Sequence, residues 1–216
     1  MKVAIVVPAF NEAESIADVV AAIRDYGTPI VVDDASVDTT ALQAQAAGAI
    51  VVRHRRNLGY DGGLASGFDK AVEIGADCMI SIDADGQLDA SALPQVVKNL
   101  EGSAQLVLGV RSSGAARWSE ALFNFFALRR YGTPDILCGL KGFRKDAYLR
   151  HRSRADARSV HTSVALALLR EGAPFALVPV AVKPRRGASR YGGTWRANLR
   201  IFKAMLNAVW HDIVGR

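Results

Sequence analysis

Cysteine is nearly absent from this 216-residue chain: there are two, Cys78 and Cys138. Two cysteines make no disulfide framework, which excludes a small cross-linked scaffold and suits a reducing compartment. Long apolar runs are also missing. No uninterrupted stretch reaches the ~18 residues of a membrane span. The N-terminal run of Val3 to Val7 stops at Pro8, too short for the core of a secretory signal. Four histidines (His54, His151, His161, His211) show no paired metal spacing and read as structural. Helix-turn-helix, zinc and RNA-binding signatures are lacking, so a nucleic-acid partner is not expected despite a net charge of +6.

The charge that is there is unevenly spread. Residues 1–110 carry 7 basic and 15 acidic side chains, net −8; residues 111–216 carry 20 and 6, net +14. Such a split points to an anionic partner for the second half, a lipid surface or a phosphorylated substrate. Half of the residues are hydrophobic, enough for one sizeable core.

In the first half, apolar runs alternate with helical patterns. Strands are expected over 2–7, 30–32, 50–53, 78–82 and 105–110, with helices from 11, over 38–47, 64–74 and 91–100. Asn11 and Glu14 resemble a capping box for the first of these helices. This alternation implies βαβ units and a largely parallel sheet, whose ligands bind beyond the carboxyl ends of the strands. Pro8 to Glu12, Asp33-Asp34, the glycine-rich turn Asn57 to Gly63, and Asp83 to Gln87 all fall at such ends. In the second half, helices are expected over 118–131, 159–170 and 194–214, and a strand over 175–182. The segment 135–144 is merely glycine-punctuated.

The most informative stretch is Ile80-Ser-Ile-Asp-Ala-Asp-Gly-Gln87. Asp83 and Asp85 leave a strand one residue apart, so the period of two sends both carboxylates to one side. Two carboxylates so placed repel unless a cation lies between them. Mg²⁺ or Mn²⁺ suits such oxygen ligands, with Gln87 one step further on. Asp33 and Asp34 are placed to bond a base or ribose.

Taken in order, Val-Pro-Ala-Phe-Asn-Glu at 7–12, Asp-Asp-Ala-Ser-Val-Asp-Thr-Thr at 33–40, Asn-Leu-Gly-Tyr-Asp-Gly-Gly at 57–63 and Asp-Ala-Asp-Gly-Gln at 83–87 resemble the family 2 glycosyltransferases of the GT-A fold. Leu-Gly-Val-Arg at 108–111, Asp-Ile-Leu-Cys-Gly-Leu-Lys-Gly-Phe-Arg at 135–144 and Arg-Gly-Ala-Ser-Arg at 186–190 resemble the subgroup making dolichyl- or polyprenyl-phosphate mannose and glucose. The resemblance implies an α/β GT-A domain over 1–192, with an amphipathic helix at 193–216 that lies on a membrane, the core or a partner. It implies an inverting transfer of hexose from GDP-mannose or UDP-glucose to a lipid phosphate at the cytoplasmic face of a membrane. A homodimer or a membrane-embedded partner stays open.

By the same resemblance, Pro8, Glu12 and Asp34 hold the nucleoside, and Asn11, Asp33, Asp61, Ala84 and Arg186 are further candidates for contacts to the nucleotide sugar. Asp83, Asp85 and Gln87 hold the metal and diphosphate. Arg111 binds an anionic phosphate, with Arg117, Arg129 and Arg130 as further candidates, and Asp135 lies near the sugar and the attacking group. Three departures stand out. Asp61 replaces a usual glycine, the segment after Arg111 is short, and no Asp or Glu occurs from Ala157 to Arg170. The last fits a phosphate acceptor, which needs no base. A soluble family 2 enzyme with a hydroxyl acceptor is the nearest rival. A nucleotidyltransferase would carry a glycine-rich basic loop where residues 8–12 read Pro-Ala-Phe-Asn-Glu.

Overall fold

The computed structural model describes residues 1–112, 118–153 and 159–184, together with Phe202 and Leu206. Seven strands form one sheet in the order β3-β2-β1-β4-β6-β5-β7. They are β1 (Val3–Ala9), β2 (Thr28–Asp33), β3 (Ile50–Arg53), β4 (Cys78–Ser81), β5 (Leu106–Arg111), β6 (Lys141–Arg144) and β7 (Phe175–Val180). All pairings are parallel except those of β6, which runs antiparallel to both neighbours. Every residue of β1 is buried, as expected of a central parallel strand covered on both faces.

One face carries α1 (Ile16–Ile23), α2 (Thr40–Ala46) and α4 (Leu93–Glu101). Ile16, Val19, Val20 and Ile23 form the helical stripe that meets Val3, Ile5 and Val7 of β1. The opposite face carries α3 (Gly59–Glu73), α5 (Trp118–Tyr131), α6 (Lys145–Arg152) and α7 (Val160–Arg170). There Leu64, Phe68 and Phe123 pack with Ala4, Val6 and Met79. Alternation along each strand thus feeds two separate cores. Gly67 lets α3 lie close to the sheet, since a Cβ there would come within 2.2 Å of Val6 Cγ1.

Three expectations need correction, and a fourth falls outside the described residues. Asn11 is not a helix cap: its φ is +53°, its side chain accepts from Val37 N, and α1 starts at Ile16. The glycine-rich segment 59–63 is no free turn but the first part of α3, which begins five residues earlier than its apolar pattern indicates. Strand β6 and helix α6 both follow the glycine-punctuated segment and were not foreseen. A four-residue strand reading Lys-Gly-Phe-Arg has no apolar alternation to reveal it. The C-terminal helix lies outside the described residues apart from two positions. Phe202 packs on the α3/α5/α7 side, 6.3 Å from the Trp118 ring, and Leu206 is exposed.

Candidate active site

Parallel strands end on the same edge, so β1, β2, β4 and β5 deliver Ala9, Asp33, Ser81 and Arg111 to one rim. Antiparallel β6 begins there, adding the 135–141 segment that leads into it. Loop residues 11–13 and 36–40 are cross-linked over this rim. Asn11 N donates to Ser36 Oγ (2.9 Å), and Glu12 N donates to Thr40 Oγ1 (2.8 Å). Ala35 sits at φ +63°, a conformation that costs a non-glycine residue energy and recurs at ligand sites. Pro8 and the buried Glu12 line the start of this crevice.

Asp33 and Asp34 are buried and bonded to the loops of this rim. Asp34 accepts from Leu58 N and Gly59 N, each at 2.7 Å, and contacts His54 Nδ1 at 2.7 Å. It therefore caps α3, whose N-terminal amides favour an anion. Asp33 is fully buried, accepts from Ser36 N (3.1 Å) and pairs with Arg53 Nε (3.0 Å). Both carboxylates help to shape the loops of this rim. His54 bridges Asp34 and Ser66 and is structural, as expected.

Asp83 is the centre of the rim. Tyr60 donates its hydroxyl to Asp83 Oδ1 at 2.8 Å. Gly139 lies directly against the carboxylate: a Cβ there would come within 2.3 Å of Asp83 Oδ2. Ser81 Oγ donates to Gly139 O (2.8 Å), locking that approach. Burial raises the Asp83 carboxyl above its usual range, and the charge of Asp85 raises it further. Asp85 Oδ1 accepts from Gln87 N at 3.0 Å, closing the turn, while Ala84 O accepts from Ser15 Oγ at 2.8 Å. Gln87 O in turn accepts from Lys183 N (2.8 Å), tying the turn to the chain beyond β7.

This donor set fits a hard divalent cation. Asp83 and Asp85 lie one residue apart just beyond β4, and the charge of Asp85 adds to burial in raising the Asp83 carboxyl, a load that a cation would relieve. Among the described residues no group of three or more His, Cys, Asp or Glu could hold a metal. The arrangement matches an ion held by one or two carboxylates and completed by water and substrate phosphates.

Arg111 and Asp135 meet each other. Arg111 Nε donates to Asp135 Oδ2 (2.8 Å) and an Nη to Oδ1 (2.9 Å), a bidentate fork. Glu120 lies 3.4 Å from the same guanidinium, and these hydrogen bonds and charges hold Arg111 firmly protonated. Asn124 Nδ2 donates to Asp135 Oδ1 (3.3 Å), and Asn124 Oδ1 accepts from Ile136 N (3.2 Å). Arg111, the arginine expected to bind an anionic phosphate, is ion-paired in this structure. Arg129 and Arg130 are exposed on α5. Arg117 and Arg186 lie outside the described residues.

Three participants escaped sequence reasoning. Lys141 is wholly buried, with Nζ donating to Cys138 O at 2.6 Å; burial pushes its ammonium down to about 8. Nothing in the local sequence Lys-Gly-Phe-Arg marks it as buried. Tyr60 and Gly139 stood inside quoted motifs, but only the fold brings them to Asp83. Cys138 is buried rather than near the surface, and burial pushes its thiol up to about 11, so it is inert. Asp61, at the start of α3, faces His161 of α7 at 3.7 Å.

Comparison with known proteins agrees with this architecture. The chain is 29% identical over 201 residues to the glycosyltransferase AglJ of Haloferax volcanii, covering 87% of this chain and 65% of AglJ. It is 30% identical over 166 residues to the undecaprenyl-phosphate mannosyltransferase of Micrococcus luteus, covering 68% of each. Among solved structures, glucosyl-3-phosphoglycerate synthase of Mycobacterium tuberculosis, in complex with Mn²⁺, UDP and phosphoglyceric acid, superposes with a TM-score of 0.73. That match has 20% identity and covers 95% of this chain and 77% of the other. The same enzyme with Mg²⁺ and UDP gives 0.70, at 19% identity over 94% of this chain and 79% of the other. These neighbours share the GT-A fold. The glycosyl transferase family 2 model matches residues 4–150, and with the sheet order and rim described above this chain belongs to that family.

Proposed function

We propose that the protein is an inverting, metal-dependent glycosyltransferase that moves a hexose from a nucleoside-diphosphate sugar to a polyprenyl or dolichyl phosphate. The observation that carries this reading is the Asp83–Asp85 carboxylate pair at the end of β4, braced by Gly139 and Tyr60. A relative from Methanococcus voltae, named a UDP-N-acetylglucosamine–dolichyl-phosphate transferase, is 27% identical over 174 residues, covering 66% of this chain and 69% of its own length. Together with the undecaprenyl-phosphate enzyme, it supports a lipid-phosphate acceptor.

Asp83 and Asp85 would hold Mg²⁺ or Mn²⁺, with Gln87 beside them. Bound there, the ion supplies the positive charge that offsets the departing diphosphate. Pro8, Asn11, Glu12 and Ala84 bound the nucleoside crevice, while Asp33 and Asp34 set the shape of its loops. Asp135, fixed by Arg111 and Asn124, is the carboxylate nearest the attacking group in this reading. Arg111 acts by holding Asp135, and Lys141 is the buried cation behind the pair. Arg186 is assigned to the diphosphate side. A phosphate monoester with a second pKa of about 6 is largely ionised near neutrality, so it attacks without a strong base. The lack of any acid along α7 agrees with such an acceptor. In-line attack by the phosphate oxygen from the face opposite the diphosphate inverts the anomeric carbon.

Attachment to the cytoplasmic face of a membrane is part of this proposal. Among the described residues, no helix is long and apolar enough to cross one. Helix α5 instead exposes Trp118, Leu122, Phe125 and Leu128 beside Arg129 and Arg130. Apolar side chains flanked by arginines suit an interface with anionic lipid.

A screen of GDP-mannose and UDP-glucose against a short polyprenyl phosphate, with Mn²⁺ or Mg²⁺ and then EDTA, tests the reading. Metal-dependent glycolipid formation is expected. Transfer only to a water-soluble hydroxyl acceptor would overturn the acceptor assignment. No binding of any nucleotide sugar would overturn the whole.

A further inference from the structure

Asp61 and His161 bring three unsatisfied polar atoms together beside the metal carboxylates. Asp61 Oδ1 lies 3.7 Å from His161 Nδ1, beyond hydrogen-bonding distance. Asp61 Oδ1, His161 Nδ1 and His161 Nε2 are all buried without a hydrogen-bond partner among the described residues. Buried polar side chains nearly always find partners, so three orphans at one place mark a vacancy for a ligand's polar groups. The His161 side chain is 8% exposed and that of Asp61 25%, so the opening lies on the Asp61 side.

The position is informative. Tyr60 packs edge-on against His161 with ring centroids 5.6 Å apart, and its hydroxyl reaches Asp83. The orphan atoms are therefore one side chain away from where the diphosphate would be held. The chemistry is informative too. Burial and the nearby charge of Lys141 push His161 down to about 4, so the ring is neutral and presents one donor and one acceptor. Asp61 adds acceptors. A phosphate offers chiefly acceptors and negative charge and would be repelled by Asp61. A hydroxyl both donates and accepts, and it matches the array.

We infer that Asp61 and His161 form the subsite that reads hydroxyl groups of the transferred sugar. The inference rests on the proposed donor and deepens it: a polyol is gripped between α3 and α7, with Tyr60 as the wall separating it from the carboxylate pair. A site built to bond hydroxyls rejects analogues that lack them, because its own groups are then left unpaired. Asp61 and His161 would thereby set which hexose is accepted.

The test is calorimetric titration of the full chain, with Mn²⁺ present, using UDP-glucose, UDP, GDP-mannose and GDP. The ratio of the nucleotide-sugar Kd to the free-diphosphate Kd should rise at least about tenfold for Asp61→Ala, the loss of one charge-assisted hydrogen bond, and about threefold or more for His161→Phe, the loss of a neutral one. Diphosphate affinity should stay within about twofold. Asp61→Asn, which keeps the side-chain shape, decides the matter should either variant fail to fold; its ratio should also rise. An unchanged ratio, or equal weakening of sugar and diphosphate, overturns the subsite while leaving the proposed function standing. A parent protein that binds no nucleotide sugar overturns both.

Discussion

Tyr60 on α3 donates its hydroxyl to Asp83 beyond β4, joining a helix start to the carboxylate that burial has made reluctant to ionise. The bond favours the ionised form, opposing both burial and the charge of Asp85. Activity that needs ionised Asp83 is present above its pKa and lost as pH falls through it. Removing the hydroxyl in Tyr60→Phe raises that pKa further. The acid limb of the pH–rate profile should move to higher pH in this variant, while the plateau at alkaline pH changes less. An unmoved acid limb would detach Tyr60 from Asp83.

Asp85→Ala removes one of two candidate ligands from a half-buried turn. Turnover should fall by at least about a thousandfold, comparable with losing a principal electrostatic contact in a reaction centre. The melting temperature should stay within a few degrees of the parent's. Thermal melts in added Mn²⁺ should show that the variant has lost the ligand-induced stabilisation of the parent.

Gly139→Ala places a methyl within 2.3 Å of Asp83 Oδ2, so the carboxylate must move. Overpacking of this kind costs roughly 1–3 kcal/mol. The variant should fold with a lowered melting temperature and lose most of its activity. Wild-type activity would show that Asp83 has room to shift without harm.

Asp34→Ala strips α3 of a carboxylate that caps Leu58 N and Gly59 N and holds His54. Loss of roughly 2–4 kcal/mol is expected, read by urea unfolding. Because Asp34 holds the start of α3 and His54 in place, a large part of the loss should appear as stability.

Lys141 carries a pH signature. Its folded-state ammonium at about 8 lies below the ordinary 10.5. Between those values the unfolded chain binds the proton more tightly, so stability rises with pH from about 8 and levels off near 10.5. The slope is at most about 1.4 kcal/mol per pH unit. Lys141→Met should lack this rise, and below pH 8 it should be as stable as the parent or more so. Chemical denaturation of the two proteins between pH 7 and 10 reads the difference.

The parts of the site legible in the sequence were those in which chemistry follows local periodicity. Asp83 and Asp85 announced themselves because an apolar strand ended in alternating acids. Asp33 and Asp34 did so too, but their partners (Arg53, Leu58, Gly59) come from later segments, and sequence spacing does not say which acid is already satisfied. The same limit hid the Arg111–Asp135 fork, 24 positions apart in the chain. Strand β6 was hidden because its identity rests on its two neighbours: Lys141 is buried by tertiary packing, against its own hydration preference. The glycines at 59, 62 and 63 read as a turn, but their uses differ: Gly59 sits at φ +80°, a Cβ at Gly62 would meet Leu58, and of the three Gly63 alone gives α3 access to β1. Gly63 would press a Cβ to 3.0 Å from Pro8 Cβ.

The antiparallel insertion has a consequence for how the chain assembles during synthesis. Strands β1 to β4 find one another in the order they emerge, but both neighbours of β5 are made after it. Until residue 141 leaves the ribosome, Leu106 to Arg111 is a finished hydrophobic edge with nothing to pair to, an aggregation hazard of the sort that chaperones shield. Pulse-labelled hydrogen exchange during refolding should therefore find amides of β1 and β2 protected before those of β5. The arrival of β6 joins β5 to β4 and brings the 135–141 segment to the rim, and β7 then completes the sheet.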